Sequence, residues 1–329
     1  MPWARYSRSV AWVAVIAGLV LLVAGAELIV RSGSRLAAKL GVPPILVGLT
    51  VVSIGTSAPE LAVGIGAAAS GAGSLAVGNI AGTNIVNLLL ILGVTAALRA
   101  VPLSMQTLRL DLPVMGVVAM VVFLFAIDGE LTRTEGAILV GLSVGYTVAL
   151  VRTARRETAY VAEEFGDAFG TRRLSSSRWA TVGAVVVLVA GLGIIILGAD
   201  WLVDGSIEIA RSFGISEGFI GLTIIAIGTS APELATAILS TFRGERDIAI
   251  GNLIGSSTYN LTLILGITVL AAPIVLDPAL ILVDLPVMIL ATFFVGVLML
   301  TGRRVGRREG ALMVAMYLAY LVYLIVARL

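Results

Sequence analysis

The chain has 329 residues, of which 59% are hydrophobic and 13% charged, and its mean hydropathy is +1.07. A soluble domain carries about 25% charged residues, so this composition excludes a water-soluble fold and indicates an integral membrane protein. The absence of cysteine and histidine excludes disulfides, thiolate ligands and imidazole chemistry. The net charge of +2 comes from short basic clusters between apolar segments, so we expect the lipid bilayer and no nucleic acid as a partner.

Ten apolar segments are long enough to cross a bilayer, which takes about 20 residues of helix. In chain order they are 10–30, 43–69, 74–98, 110–127, 134–151, 181–203, 215–240, 246–271, 279–300 and 308–327. One long polar stretch, 152–180, divides them into five and five. The sequence therefore predicts an all-α integral membrane fold of ten transmembrane helices.

The two groups of five segments are copies of one another. When the chain is shifted by 173 residues, "GTSAPEL" at 55–61 falls on "GTSAPEL" at 228–234. Between 48–93 and 221–266, 24 of 46 positions are identical without a gap. Because each copy contains an odd number of spans, the second enters the membrane from the opposite side. The pattern predicts two inverted-topology five-helix repeats.

Charge placement predicts the orientation of these repeats. The segments between spans carry 17 lysines and arginines on one side and five on the other. Basic residues remain cytoplasmic, so we predict a multi-pass protein of the inner (plasma) membrane with both termini outside. The predicted domains are 1–152, the first repeat, and 181–329, the second, joined by a cytoplasmic linker loop at 153–180.

Each repeat places a proline and a glutamate inside an apolar span. Pro59 and Pro232 have no N–H and break the helix that precedes them. Broken backbone is tolerated in a membrane only where protein or a wet cavity satisfies it. Glu60 and Glu233 follow directly, and a charged residue at mid-membrane costs about 2.5–3.5 kcal/mol to insert. Two such costs at equivalent positions, with no lysine or arginine in the same spans, predict a functional role.

Helical spacing groups other polar side chains with the carboxylates. Thr56 and Ser57 precede Glu60 by four and three residues, so they share its helix face. Thr83 and Asn87, four residues apart, share a face of the next helix. The equivalent residues of the second repeat are Thr229, Ser230, Ser256 and Asn260.

An oxygen-only site of this kind suits hard cations. Ca²⁺ takes 6–8 oxygen ligands, including carboxylates, amides and carbonyls. Two carboxylates would neutralise one Ca²⁺, and the same oxygens could hold Na⁺, an ion of nearly equal size. Competition of two ions at one site within inverted repeats predicts an antiporter. A cation channel and an intramembrane hydrolase are the alternatives, and the hydrolase lacks a nucleophile, so no enzyme activity is expected.

The motifs "GTSAPEL…GN…N" at 55–87 and 228–260 resemble those of the cation/Ca²⁺ exchanger superfamily, most closely its Na⁺/Ca²⁺ exchanger branch with small prokaryotic members. The resemblance covers nearly the whole chain. It implies a secondary-active antiporter that exchanges Ca²⁺ for Na⁺ by alternating access, without a resident cofactor and as a functional monomer. Spans one and six are then expected to move across a rigid core.

The resemblance also implies roles for individual residues. Glu60 and Glu233 bind Ca²⁺ and contribute to Na⁺ sites, and backbone oxygens of Thr56 and Thr229 join the Ca²⁺ shell. The remaining Na⁺ ligands are Ser53, Ser57, Thr83 and Asn87 on the inward half and Ala226 (by its carbonyl), Ser230, Ser256 and Asn260 on the outward half.

Asn260 departs from the family pattern. Members of the sodium branch commonly carry aspartate there. If that aspartate is protonated during transport, Asn260 mimics it; if it is ionised, this protein carries fewer Na⁺ ions, uses H⁺, or lacks K⁺ co-transport. A H⁺/Ca²⁺ antiporter of the same superfamily is therefore the alternative function.

A second repeated motif, "DLPVM" at 111–115 and 284–288, has a structural interpretation. Aspartate is a favoured N-cap and proline is favoured in the first helical turn. We therefore predict that Asp111 and Asp284 cap the helices that follow them.

Overall fold

A computed structural model describes residues 8–40, 42–69, 71–165, 178–213, 226–302 and 304–328. Helices account for nearly all of these residues, and the predicted all-α membrane fold is confirmed. Nine of the described helical segments are long and apolar enough to cross a membrane. The predicted span at 215–240 begins in residues outside those described, and its second half is helical.

The helices are numbered in chain order. They are α1 Arg8–Leu40, α2 Pro44–Val47, α3 Ser53–Thr56, α4 Ala58–Ala69, α5 Gly73–Ile85, α6 Leu92–Leu98, α7 Leu112–Ala126, α8 Arg133–Phe165, α9 Arg178–Ser212, α10 Ala226–Thr229, α11 Ala231–Arg243, α12 Arg246–Tyr259, α13 Leu265–Ala271, α14 Leu285–Gly302 and α15 Arg307–Arg328.

Short π-helical segments join several of these helices without interrupting the span. They are π1 Gly48–Val52, π2 Val86–Ile91, π3 Thr107–Asp111, π4 Asn260–Ile264 and π5 Leu280–Asp284. A shift of 173 residues places π3 on π5 and π2 on π4 to within one residue. The repeat seen in the sequence is thus also a repeat of backbone distortions, which are frequent at functional sites.

Four two-residue strands show how the repeats meet. β1 (Val101–Pro102) pairs with β4 (Arg304–Val305), and β2 (Glu130–Leu131) pairs with β3 (Ile274–Val275), both antiparallel. β1 and β3 are equivalent in the two repeats, as are β2 and β4, so one pairing is the symmetry mate of the other. Each pair also joins two loops that the charge distribution assigns to the same side of the membrane.

The buried apolar side chains form two clusters. The larger one includes residues of α5, α7, α12 and α14. The smaller one is built mainly from α1 and α9, with Ala26 and Ile29 meeting Ile195 and Ala199. The first helices of the two repeats therefore pack on each other at least as much as on the core.

The predicted N-caps at "DLPVM" are wrong. Asp111 has helical backbone angles (φ −69°, ψ −48°) and makes no capping hydrogen bond. It ends π3, inside a helix that begins earlier, and Asp284 ends π5 in the same way. Each carboxylate instead accepts a hydrogen bond from a tyrosine of the last helix of its repeat: Tyr146 at 3.2 Å and Tyr320 at 2.8 Å.

Candidate cation-binding site

The helix breaks predicted at the two "GTSAPE" motifs are confirmed. α3 ends before Ser57 and α10 ends before Ser230, and both serines leave the helical region (φ −83°, ψ 9° and φ −88°, ψ 7°). α4 and α11 start at the next residue, with the glutamate in their first turn. Proline supplies the physical cause, since it cannot donate to the carbonyl four residues back.

Glycines bring the first repeat into contact with the second at these breaks. π1 crosses α12 so closely that a Cβ on Gly48 would lie 3.0 Å from the carbonyl oxygen of Ile248. A Cβ on Gly251 would lie 2.7 Å from the carbonyl oxygen of Ile45. Only glycine permits this backbone approach, and the crossing places α3 beside the polar face of α12.

Polar side chains of both repeats meet at this crossing. The Thr56 hydroxyl donates to Asn252 Oδ1 at 3.1 Å and lies 3.4 Å from Ser256 Oγ. Ser256 Oγ in turn lies 3.5 Å from Glu233 Oε1. A continuous polar chain therefore runs from the first repeat to the carboxylate of the second.

The two glutamates are fully buried and close to each other. Glu60 and Glu233 have 0% exposure, and their carboxylates are near enough to interact by Coulomb repulsion. In the part of the chain that the structure describes, the ion pairs involve Glu27 and not these residues. Two neighbouring buried carboxylates without a counter-charge are stabilised when a cation lies beside them.

Many buried oxygen and nitrogen atoms of the predicted site residues have no hydrogen-bond partner among the described residues. They belong to Glu60, Ser57, Thr83, Asn87, Ser230 and Asn260. All six residues are at most 2% exposed. Buried polar groups in native proteins are almost always paired, and an unpaired one costs about 1–3 kcal/mol. Hydroxyl, amide and carboxylate oxygens left unpaired in this way have the chemistry of ligands for a hard cation.

Ser53 lies at the same crossing. Its hydroxyl is 2.6 Å from the carbonyl oxygen of Gly48, 3.1 Å from that of Asn252 and 3.2 Å from that of Gly251. These three carbonyl oxygens converge on the Ser53 hydroxyl, which therefore ties π1 of the first repeat to α12 of the second.

The structure thus connects Thr56, Ser256 and Glu233 directly and places Glu60 beside them. Asn87 and Asn260 are buried on the neighbouring helices, and no hydrogen bond within the described part of the chain joins them to either glutamate. Thr229 ends α10 and is half-buried. Ala226 begins α10, and its side chain lies outside those that the structure describes.

Asn252 belongs to this polar crossing although it is not among the predicted site residues. Its Oδ1 accepts the Thr56 hydroxyl and lies 3.5 Å from Ser256 Oγ. The signal for Asn252 was present in the sequence as the repeated Gly-Asn pair at 78–79 and 251–252. The pair marks the repeat and forms part of the family motif, but its spacing alone does not show that Asn252 meets Thr56.

Taken together, a multi-pass helical protein whose two related halves enclose paired carboxylates has the architecture of a secondary cation transporter. The sodium/calcium exchanger protein family model matches residues 10–152 and 183–326. The chain therefore belongs to the sodium/calcium exchanger family, whose members are transporters of the cation/Ca²⁺ antiporter type and not a class of enzymes.

Individual relatives and solved structures agree with that membership. The chain is 38% identical to the inner membrane protein YrbG of Escherichia coli K12, over 94% of this chain and 95% of that protein. It is 33% identical to the sodium/calcium exchanger MaX1 of Methanosarcina acetivorans, over 94% and 97%. A structure of the sodium-calcium exchanger NCX_Mj superposes with a TM-score of 0.82 at 26% identity, covering 97% of this chain and all of that one.

Proposed function

We propose that this protein exchanges Ca²⁺ for Na⁺ across the membrane, with both ions competing for the oxygens around Glu60 and Glu233. The observation that carries the proposal is the pair of fully buried carboxylates among unpaired hydroxyl and amide groups. Two carboxylates offset the charge of one Ca²⁺, and the neutral oxygens nearby suit Na⁺ once Ca²⁺ has left. The names of MaX1 and NCX_Mj, both sodium/calcium exchangers, support the choice of ions.

The remaining ligands are proposed by position. Thr56 and Thr229 supply backbone oxygens to Ca²⁺. The Na⁺ ligands are Ser53, Ser57, Thr83, Asn87, Ala226 (by its carbonyl), Ser230, Ser256 and Asn260. The site lies within one chain, which supports a functional monomer. Both termini are proposed to lie outside the inner membrane.

Alternating access is proposed to occur by movement of α1 and α9 across the rest of the protein. The two helices cross through glycines: a Cβ on Gly18 would lie 2.7 Å from the carbonyl oxygen of Gly198, and a Cβ on Gly25 2.9 Å from that of Gly191. They also carry most of the smaller hydrophobic cluster. A tightly joined pair with its own cluster can shift as one unit while the larger cluster remains fixed.

Transport by the purified protein in liposomes tests the proposal. Ca²⁺ uptake should require an opposing Na⁺ gradient, and Glu60→Gln or Glu233→Gln should abolish it, because one carboxylate cannot offset a divalent charge. Glu130→Gln is the control, since Glu130 is exposed in β2. Ca²⁺ flux that persists with no counter-ion gradient would identify a channel instead.

Asn260 is the observation that favours a second candidate, a H⁺/Ca²⁺ antiporter. An asparagine cannot supply the charge that an ionised aspartate would give to a bound Na⁺. Ca²⁺ uptake driven by a pH gradient alone, with Na⁺ absent on both sides, would support this function and overturn the sodium assignment.

A further inference from the structure

Buried hydroxyl groups in this protein usually bond to their own helix. Thr241, Thr262, Thr268 and Thr292 each donate to the carbonyl four residues back at 2.8 Å. This is the common structural arrangement of serine and threonine in membrane helices. A buried hydroxyl without such a bond is therefore informative.

Outside the proposed ligand set, five hydroxyls of the described residues depart from this pattern: Ser34, Thr95, Thr236, Ser240 and Ser257. Ser34 lies on α1, and Ser257 adjoins the proposed ligand Ser256 on α12. The other three share a different location. Thr95 is 1% exposed, and Thr236 and Ser240 are 0% exposed. None of the three has a hydrogen-bond partner among the described residues. Each of these hydroxyl groups is therefore buried in the protein with its hydrogen-bonding capacity unused.

The three hydroxyls lie on one side of the carboxylates. Thr236 and Ser240 follow Glu233 by three and seven residues, so they share its face of α11. Ser240 stands about 10 Å along the helix from Glu233, at 1.5 Å per residue. Thr95 lies on α6, which packs against α11. Both helices lead toward the same membrane surface, because β1, which follows α6, contacts α12, which follows α11.

At the three positions related to these by the repeat, the described residues carry no unpaired hydroxyl. At the positions equivalent to Thr236 and Ser240, the first repeat has Val63 and Ala67. The equivalent of Thr95 is Thr268, whose hydroxyl is bonded to Ile264. Gly64 packs so closely on Thr268 that a Cβ there would lie 2.7 Å from the hydroxyl oxygen. The two halves thus differ in chemistry although their backbones are related.

We propose that Thr95, Thr236 and Ser240 form a staging site for a monovalent cation between the carboxylates and the membrane surface where α11 ends. Hydroxyls carry no charge, so they cannot offset the dehydration of a divalent ion, which needs carboxylates. They can replace part of the water shell of Na⁺. This inference rests on the proposed Na⁺/Ca²⁺ exchange and adds a Na⁺ subsite that serves one side of the membrane only.

The test measures Na⁺ dependence from each side separately. Thr236→Val and Ser240→Ala are reconstituted in liposomes, with Thr241→Val as the control on the same helix, because the Thr241 hydroxyl is already bonded to Ala237. The half-saturating Na⁺ concentration should rise roughly threefold to tenfold on the α11-end side, the effect of losing one oxygen contact. It should not change on the opposite side, and Ca²⁺ half-saturation should not change.

Orientation is read independently from Glu245→Cys labelled with a membrane-impermeant maleimide, since the chain contains no other cysteine. Equal changes on both sides, or changes matched by Thr241→Val, would assign the hydroxyls a structural role. A lower rate with unchanged half-saturation would mean that they hold only water. If Ca²⁺ uptake by the wild-type protein does not depend on a Na⁺ gradient, the proposed function itself is refuted.

Discussion

Gly255→Ala tests whether the crossing of the two repeats holds the site together. The added Cβ would lie 2.7 Å from the carbonyl oxygen of Leu49 and 2.9 Å from its Cα, and closer still to Ser53 Oγ. Ordinary contact begins at 3.4 Å. The backbone of Leu49 cannot rotate away, so π1 and α12 must separate by about 0.7 Å. The 3.1 Å hydrogen bond from Thr56 to Asn252 would then be lost.

Three terms give the magnitude of this effect. Overpacking costs about 1–3 kcal/mol, and the lost hydrogen bond about 1 kcal/mol. Replacing glycine with alanine within a helix stabilises the helix by about 1 kcal/mol, because alanine has the higher helix propensity. We therefore expect Gly255→Ala to be less stable than wild type by about 1–3 kcal/mol.

The assay is thermal unfolding of the purified protein in detergent, with Ca²⁺ uptake into liposomes measured in parallel. Gly145→Ala is the matched control, because Gly145 is exposed on α8 and has nothing within 4 Å of the added Cβ. That variant should be as stable as wild type or more stable, with full transport. If Gly255→Ala also unfolds at the wild-type temperature and transports normally, the crossing does not position the site.

Three further predictions concern single side chains. Asn260→Asp should retain Na⁺-driven Ca²⁺ uptake but make its rate depend on pH, because an ionised third carboxylate would repel the buried glutamates; uptake is measured over a range of pH. Arg243→Gln removes a bidentate ion pair to Glu27, at 2.5 and 3.0 Å, and should cost less than about 1 kcal/mol of stability, since Arg243 is half-exposed. Tyr259→Phe removes the 2.7 Å hydrogen bond to Thr147 and should cost about 0.5–1.5 kcal/mol, measured by thermal unfolding.

A specific result would contradict each of these three predictions. Uptake by Asn260→Asp that is independent of pH would show that the new carboxyl group does not titrate over the range measured, which contradicts the prediction. For the ion pair, Arg304→Gln is the control, since Arg304 is exposed. If Arg243→Gln loses much more than about 1 kcal/mol of stability relative to Arg304→Gln, the ion pair contributes more than predicted. For Tyr259→Phe, the exposed Tyr323→Phe is the control, and equal stability of the two variants would contradict a contribution from the buried hydroxyl.

Much of the fold follows from local sequence properties. A span is recognised because hydrocarbon selects some 20 apolar residues, and the repeat because the same residues recur at the same spacing. The helix break at Ser57 was predictable from Pro59, since proline removes a donor wherever it stands. Glu60 and Glu233 were identifiable because a buried charge is costly.

Other features depend on contacts between segments far apart in the chain. The pairing of Thr56 with Asn252 crosses from one repeat to the other, and no periodicity within a helix specifies it. Asp111 shows the same limit: proline at the third position of "DLPVM" is compatible with a helix start and with a π turn inside a longer helix. In the tertiary structure the segment forms the π turn, because Tyr146 on α8 donates a hydrogen bond to the Asp111 carboxylate, which therefore does not cap a helix.

The sequence by itself therefore determined the membrane class, the two repeats and the residue types of the site. Only the tertiary structure decided which polar groups meet, that Asn252 belongs among them, and that the buried hydroxyls of Thr95, Thr236 and Ser240 have no partner among the described residues. The physical reason is that burial and chemical type are local properties of a span. Hydrogen bonding between residues some 200 positions apart is set by how closely glycines let the helices cross.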